Sequence, residues 1–146
     1  MKFRYLAAGA ILAGAIVGFY WPAQADSYVP MDNPITIDGV ETVCTGIGDE
    51  AQHDPRWLAY PIRVEFSNSG AQYLSGAHVV LSAGGKPLAA LDCAGPWVLF
   101  KLAPGNYTVA ATLLNGQGGG ERSAAFSPPA TGQKRVVLQF KLPPNQ

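Results

Sequence analysis

Residues Gly95–Thr112, with the sequence GPWVLFKLAPGNYTVAAT, predict two strands joined by a tight turn. Residues 97–102 are mostly apolar and suit an extended strand. Residues 103–106 (APGN) suit a turn, because proline fixes φ and glycine accepts a positive φ. From Tyr107 onward, side chains alternate between two faces, as in a half-buried strand. We interpret this stretch as a β-hairpin and expect an all-β protein.

Further short strands are predicted on both sides of this stretch. They alternate in polarity with a period of two and are separated by glycine, proline and asparagine turns. About seven short strands with such turns are typical of a two-sheet β-sandwich. No amphipathic helix of ordinary length is predicted after the N-terminal segment. Among the predicted strands are Pro61–Ser67, Tyr73–Ala83, Pro87–Cys93 and Gln133–Leu142. Residues 83–86 (AGGK) predict a hairpin turn between the second and third of these strands.

The N-terminal segment has the pattern of a signal peptide. A basic start at Met1–Arg4 precedes the uncharged apolar run Leu6–Phe19 and the small-residue site Ala23-Gln24-Ala25. The alternative is a retained membrane anchor, but the run is shorter than the ~20 residues of a membrane span. We therefore expect a periplasmic or secreted protein without a stable membrane span. The predicted units are a signal helix over 1–25, a flexible lead-in over 26–34, a sandwich over 35–142 and a tail over 143–146.

Charge and cysteine content limit the classes of partner. Removing Lys2 and Arg4 from ten basic residues leaves eight against ten acidic ones. The net charge is then about −2 with neutral histidines, and no basic patch suggests a nucleic acid partner. Cys44 and Cys93 form an even pair, which in an exported chain predicts a disulfide. Two buried free thiols are the alternative.

Two motifs resemble those of carboxypeptidase regulatory-like domains. Residues 76–81 (GAHVVL) resemble the family's G-A-x-V-x-L strand, and residues 95–111 resemble its pattern ending in L-x-P-G-x-Y-x-V-x-A. The resemblance covers roughly Ile62–Leu142. It implies a seven-stranded β-sandwich of the transthyretin-like or immunoglobulin-like kind. It implies no activity, since such domains usually serve as accessory or interaction modules.

Enzymes of related folds do not fit the sequence well. Transthyretin-like hydrolases of purine breakdown end in a Tyr-Arg-Gly-Ser type motif, whereas this chain ends LPPNQ over residues 142–146. No nucleophile elbow of the Gly-x-Ser-x-Gly type occurs either. We therefore expect a protein that is not an enzyme and that has no cofactor.

Residues 45–60 form the least regular segment of the predicted sandwich. Asp54 followed by Pro55 predicts a capped helical turn. Carboxylates and imidazole can bind Ca²⁺ or Zn²⁺, but their spacing matches no standard site, so metal binding remains the weaker hypothesis. The weak candidates for metal ligands are Asp49, Glu50, His53 and Asp54.

The same segment holds the candidate binding residues Arg56, Trp57 and Tyr60. Arginine and large aromatics commonly anchor protein interfaces. We favour the alternative, in which Trp57 plugs one end of the sandwich and Tyr60 covers the first strand. Trp97 and Leu99 make both faces of their strand apolar, so either the 45–60 loop or a partner must cover the outer face. We expect the loop to do so.

These observations predict an exported, non-catalytic β-sandwich that binds a protein or another envelope component. One alternative is a metal-assisted hydrolase that uses His53, His78 and the nearby acids. Another is a small-ligand or glycan binder that uses exposed aromatics. The sequence does not specify the partner or the oligomeric state.

Overall fold

The computed structural model describes Gly18 and residues 27–145, so the predicted signal helix over 1–25 lies outside the described residues except for Gly18. Within these residues the chain forms ten strands, one α-helix and one 3₁₀ helix. The helices are α1, Gly48–Gln52, and the 3₁₀ helix Pro55–Ala59. The strands are β1 Ser27–Tyr28, β2 Ile35–Ile37, β3 Val40–Thr45, β4 Ile62–Ser67, β5 Ala77–Ala83, β6 Lys86–Cys93, β7 Trp97–Lys101, β8 Tyr107–Leu113, β9 Glu121–Phe126 and β10 Lys134–Gln139.

The strands form two five-stranded sheets, which confirms the predicted β-sandwich. The first sheet has the order β1-β6-β5-β8-β9, and the second has the order β10-β4-β7-β3-β2. Most neighbouring strands are antiparallel, while β1 pairs parallel with β6 and β10 pairs parallel with β4. The turn at residues 84–85 joins β5 to β6 as a hairpin, as predicted.

The decisive stretch is strand, turn and strand as predicted, but its interpretation as a hairpin is wrong. β7 lies between β4 and β3 in the second sheet, whereas β8 lies between β5 and β9 in the first. The turn at residues 102–106 therefore carries the chain from one sheet to the other. β7 is a central strand whose two faces are both covered, and its side chains on each face are buried. This explains why the strand is apolar on both faces.

The main core fills the space between the sheets. Inward residues of each strand alternate with outward ones, as the period of two requires. Among the largest side chains in this core are Phe66, Phe100 and Phe140, which are fully buried. The predicted disulfide Cys44–Cys93 is present, with a Cα–Cα distance of 5.5 Å, and it joins β3 of the second sheet to β6 of the first.

The boundaries of the sandwich differ from the sequence prediction. The lead-in over 26–34 was expected to be flexible, but Ser27–Tyr28 pairs with β6 and Val29 is fully buried. The short β1 and β2 contain few residues, so their strand patterns are weak, and the predicted count of seven strands is too low. The expected tail also contacts the sandwich, since the backbone N–H of Asn145 donates to the Gln72 side chain at 2.8 Å.

Within the described residues, no helix is both long enough and apolar enough to cross a membrane.

Candidate functional site

Residues 46–60 fold into a short cover, here called the cap, over the outer face of the second sheet. The cap begins at Gly46, which has a φ of +100°, and a Cβ at this position would lie 2.7 Å from Cγ of Trp97. Only glycine allows the chain to approach the indole this closely. The Gln52 side-chain amide donates to the Gly46 carbonyl at 2.8 Å and closes this part of the cap.

The predicted helical turn in the cap is confirmed as a 3₁₀ helix. Asp54 is its N-cap and accepts a hydrogen bond from the backbone N–H of Arg56 at 2.9 Å. Pro55 occupies the first helical position, where its missing N–H leaves no hydrogen bond unmade. In this local geometry Trp57 points inward, towards the sheet. Its side chain is buried, whereas that of its neighbour Leu58 is 71% exposed.

A second, smaller core lies between the cap and the sheet. It consists of Val43, Trp57, Tyr60 and Leu99, each at most 3% exposed. The rings of Trp57 and Tyr60 meet edge to face with centroids 6.2 Å apart. The prediction that the loop covers the outer face is therefore confirmed.

Polar contacts at both ends of this small core hold the cap in place. The Tyr60 hydroxyl donates to Glu41 at 3.0 Å, while the Gln133 side-chain amide donates to the carbonyls of Trp57 and Tyr60. Burial, together with the Glu41 carboxylate, raises the pKa of Tyr60 to about 12. The phenol therefore stays protonated at neutral pH and keeps its donor role.

The predicted binding residues Arg56, Trp57 and Tyr60 do not form an exposed aromatic surface. Trp57 and Tyr60 are each 3% exposed and act as packing residues, so the hypothesis of binding through exposed aromatics at these positions is wrong. Arg56 is exposed, but its guanidinium already pairs with Asp54 at 2.8 Å and lies 4.5 Å from the centre of the Trp57 ring. Arginine and aromatic residues therefore occur together in this segment because they stabilise the cap itself.

The candidate metal ligands are engaged in other contacts or dispersed. The His53 ring bonds to the carbonyl of Asp49 at 2.8 Å, and Asp54 is the partner of Arg56. Among Gly18 and residues 27–145, no three His, Cys, Asp or Glu side chains come together as a metal site. His53 lies at the end of α1 on the cap, whereas His78 is on β5 of the other sheet, so the hydrolase hypothesis loses its proposed histidine pair.

His78 instead pairs with an acid that sequence reasoning missed. Its Nδ1 lies 2.6 Å from a carboxylate oxygen of Asp92, which is directly opposite on β6. The two residues are 14 positions apart, and only the strand register brings them together. The regular β5–β6 hairpin was the signal that could have revealed this pair.

A buried acidic residue, Glu65, lies on the outer face of the second sheet beside the cap. Its side chain is only 1% exposed. Arg135 binds both of its oxygens, the Tyr73 hydroxyl donates to one at 2.7 Å, and Arg63 approaches the other at 3.3 Å. Burial alone raises the pKa of Glu65, but the hydrogen bonds from Arg135 and Tyr73 and the charge of Arg63 lower it below the ordinary value of 4.5. Glu65 is therefore a carboxylate at neutral pH.

This charged group was not predicted from the sequence. Arg63 and Glu65 alternate outward on β4, which alone suggests a solvent-exposed face. The parallel pairing of β10 with β4 places Arg135 beside Arg63 and Val137 beside Glu65. Nothing local in the sequence indicates that pairing.

Trp97 connects the charged group to the cap. The guanidinium of Arg63 lies 4.2 Å from the centre of the Trp97 ring, and Tyr73 meets the same ring edge to face at 5.8 Å. Stacked arginine and edge-on aromatics are both favourable contacts for an indole. Trp97 is therefore held rigidly between the cap and the group around Glu65.

A cleft of about 220 Å³ opens between the cap and the sheet. The buried side chains of Trp57 and Trp97 line it, and their indole N–H groups are not exposed to solvent. Leu58, at 71% exposure, lies at its rim, and Tyr73 and Val137 expose further apolar area on the same sheet face. The cleft is lined by Gln52, His53, Asp54, Trp57, Leu58, Arg63, Trp97 and Gln133.

Comparison with known proteins identifies no family for this chain. No protein-family model matches the chain, and no curated protein sequence does so. Among solved structures, the chain is similar to 5-hydroxyisourate hydrolase from Klebsiella pneumoniae, with 17% sequence identity and a TM-score of 0.36. The likeness spans 56% of this chain and 82% of the hydrolase chain. The β-sandwich itself is established by the two five-stranded sheets.

The same comparison corrects one prediction. The expectation that the protein is not an enzyme does not agree with that structure, which is a hydrolase. At 17% identity and a TM-score of 0.36, the likeness assigns no reaction to this chain.

Proposed function

We propose that this chain is an exported accessory module, built on a carboxypeptidase regulatory-like sandwich, that binds another protein of the cell envelope. The observation that carries the proposal is the cleft beside the cap together with the apolar and arginine side chains around it. Leu58, Tyr73 and Val137 are exposed on this face, and the side chain of Arg135, which binds Glu65, is 58% exposed. Tyr73 and Arg135 are of the residue types that are enriched at protein interfaces.

The size of the cleft favours a protein partner over a free ligand. Pockets that enclose drug-sized ligands usually measure roughly 300–1,000 Å³, and this cleft measures about 220 Å³. A cavity of this size suits a single protruding side chain, with the exposed rim contacting the surface from which that side chain projects. Trp97, fixed by Arg63 and Tyr73, gives the site a rigid floor, which reduces the entropy lost on binding.

Export and family character rest on separate observations. The N-terminal pattern is that of a signal peptide, and the disulfide suits an oxidising compartment. The family motif at residues 95–111 occupies β7, the connecting turn and β8, which are central strands of the two sheets. These observations support an exported module of the proposed kind.

The experiment is affinity capture from an envelope extract with the purified protein as bait. A Leu58→Asp/Val137→Asp variant places two charges on the proposed face, while Tyr28→Asp alters an exposed aromatic on the first sheet as a matched control. We expect one partner to be retained by the wild type and by Tyr28→Asp, and to bind the double variant at least tenfold more weakly. Equal retention by all three folded baits, with folding checked by circular dichroism, would contradict the proposed face.

A further inference from the structure

The loop between β8 and β9 contains the pair Asn115-Gly116 in an exposed turn. Of the five asparagines in the sequence, Asn115 alone is followed by glycine. The two residues have φ of +59° and +67°, a conformation that asparagine and glycine accept more readily than other residues do. The bond that closes the turn, from the backbone N–H of Gln117 to the Leu114 carbonyl, is 3.4 Å long, which is longer than usual. The pair is therefore exposed to water in a weakly closed turn.

Neither the Asn115 side chain nor the backbone N–H of Gly116 has a hydrogen-bond partner among the described residues. By contrast, the side chains of Asn33, Asn68 and Asn106 each form at least one hydrogen bond. An exposed amide without such bonds is free to rotate towards the main chain that follows it. Glycine has no Cβ, so no side chain shields the Gly116 nitrogen from that amide.

We propose that Asn115 is a site of spontaneous covalent modification, in which the Gly116 nitrogen closes a succinimide ring on the Asn115 side chain. The lone pair of that nitrogen attacks Cγ, and its N–H proton passes to water as the N–Cγ bond forms. The Cγ–Nδ2 bond then breaks, and Nδ2 leaves as ammonia with a proton taken from water. A second water opens the ring at one of its two carbonyls. The product is therefore either aspartate or isoaspartate, and water is the one co-reactant.

The two products differ in their effect on the loop. The Gln117 side-chain amide donates to the carbonyls of Ser75, Gly76 and Leu114 at 3.1, 3.4 and 3.0 Å, and the Leu114 N–H donates to the Gly76 carbonyl at 3.0 Å. These bonds tie the loop to the residues before β5. Isoaspartate adds one main-chain atom between Leu114 and Gln117 and changes the spacing that the bonds need. Aspartate keeps the chain length and should leave the bonds in place.

The first test follows the purified, folded protein during incubation in mildly alkaline buffer. Peptide mapping by mass spectrometry measures the conversion of each asparagine amide to an acid, and an isoaspartate methyltransferase labels the isoaspartyl product. We expect Asn115 to convert at least tenfold faster than any other asparagine, at a rate within tenfold of that in urea, because nothing in the fold holds its amide. A native rate more than tenfold below the rate in urea, or equal rates at all asparagines, would overturn the proposal.

Two matched glycine variants test the attacking nitrogen. A Cβ at Gly116 or at Gly118 would meet no atom within 4 Å, and both residues have a positive φ, so the two substitutions carry similar strain. Gly116→Ala places a methyl group beside the attacking nitrogen and should slow conversion at least tenfold, whereas Gly118→Ala should change it less than twofold. Equal rates in the two variants would overturn the proposal. If Gly116→Ala fails to fold, Asn115→Gln takes its place, and isoaspartate labelling of this loop that persists in it would overturn the proposal equally.

Hydrogen exchange at the Leu114 amide tests the effect on the loop. We expect exchange at least tenfold faster in the isolated isoaspartyl form than in the unmodified protein. The variant Asn115→Asp, which has the same new charge and an unchanged chain length, should exchange within twofold of the unmodified protein. Equal exchange in the isoaspartyl form and in Asn115→Asp would overturn the proposed loosening of the loop.

Discussion

The outer faces of the two sheets carry side chains of very different size. The second sheet, whose outer face we call the covered face, presents Val43, Leu99 and Trp97 outward, and the cap lies over them. The first sheet, whose outer face we call the open face, presents Val80, Ala90 and Ala110 outward, and these small or medium side chains remain half-buried. Large outward apolar side chains create a patch that water disfavours. The comparison teaches that a sandwich needs an additional layer where its outward side chains are large.

Removing the disulfide that joins the two sheets should have the largest effect on stability. The Cys44→Ala/Cys93→Ala variant removes a crosslink between residues 49 positions apart. The chain-entropy relation gives a loss of about 4 kcal/mol in the free energy of unfolding. Urea denaturation of the variant, and of the reduced wild type, measures this loss. An unchanged midpoint, with two thiols that alkylate in the native protein, would contradict the bridge.

Removing the centre of the cap should have the next largest effect. Trp57→Ala leaves a cavity against Val43, Tyr60 and Leu99, and we expect the free energy of unfolding to fall by about 3 kcal/mol. The neighbouring change Leu58→Ala, at an exposed position, should stay within about 0.5 kcal/mol of the wild type. Chemical denaturation of both variants sharpens the comparison of the two faces. Equal losses in both would show that the cap is not a packed layer.

The smallest of these effects concerns the charged groups of the two faces. Glu65→Gln on the covered face should cost about 2 kcal/mol at pH 7, because it leaves Arg63 and Arg135 without their shared carboxylate. Asp92→Asn on the open face removes the partly exposed pair with His78 and should cost less than about 1 kcal/mol.

The pH dependence of stability tests whether the charge of Glu65 or its packing explains the loss in Glu65→Gln. Because the folded pKa of Glu65 is lowered, its stabilising effect is present above the ordinary value of 4.5 and is lost as the pH falls through the folded pKa. The stability difference between wild type and Glu65→Gln should thus be constant from pH 7 to about pH 5 and shrink below pH 4.5. Melting temperatures of both proteins between pH 3 and pH 7 measure it. A difference that does not depend on pH would mean that packing, and not charge, is responsible.

Local patterns predicted much of this molecule. The alternation of β4 and β5, the turn after β5 and the capped turn at Asp54 are all set by neighbouring residues, and each is confirmed. The apolar side chains on the outer face of β7 correctly predicted that the cap covers this face, because buried positions are mostly apolar.

What the sequence could not reveal depends on pairing between distant strands. The group around Glu65 needs β10 beside β4, and the His78–Asp92 contact needs the register of β5 and β6. The change of sheet between β7 and β8 was missed because a tight turn can close a hairpin or connect two layers. Trp57 and Tyr60 were assigned to binding as well as to packing, since the composition of a loop does not distinguish the two.

The parallel pairing of β10 with β4 also has a kinetic consequence. Lys134 lies beside Ile62, so the second sheet acquires this strand only when residues far apart along the chain have met. Contacts between distant residues require the chain to lose loop entropy before they become favourable, and proteins rich in such contacts fold slowly. A nascent chain that ends before residue 134 lacks this pairing, and it leaves both β4 and the group around Glu65 incomplete. Folding of this sandwich is therefore completed late, after nearly all of the described chain has become available.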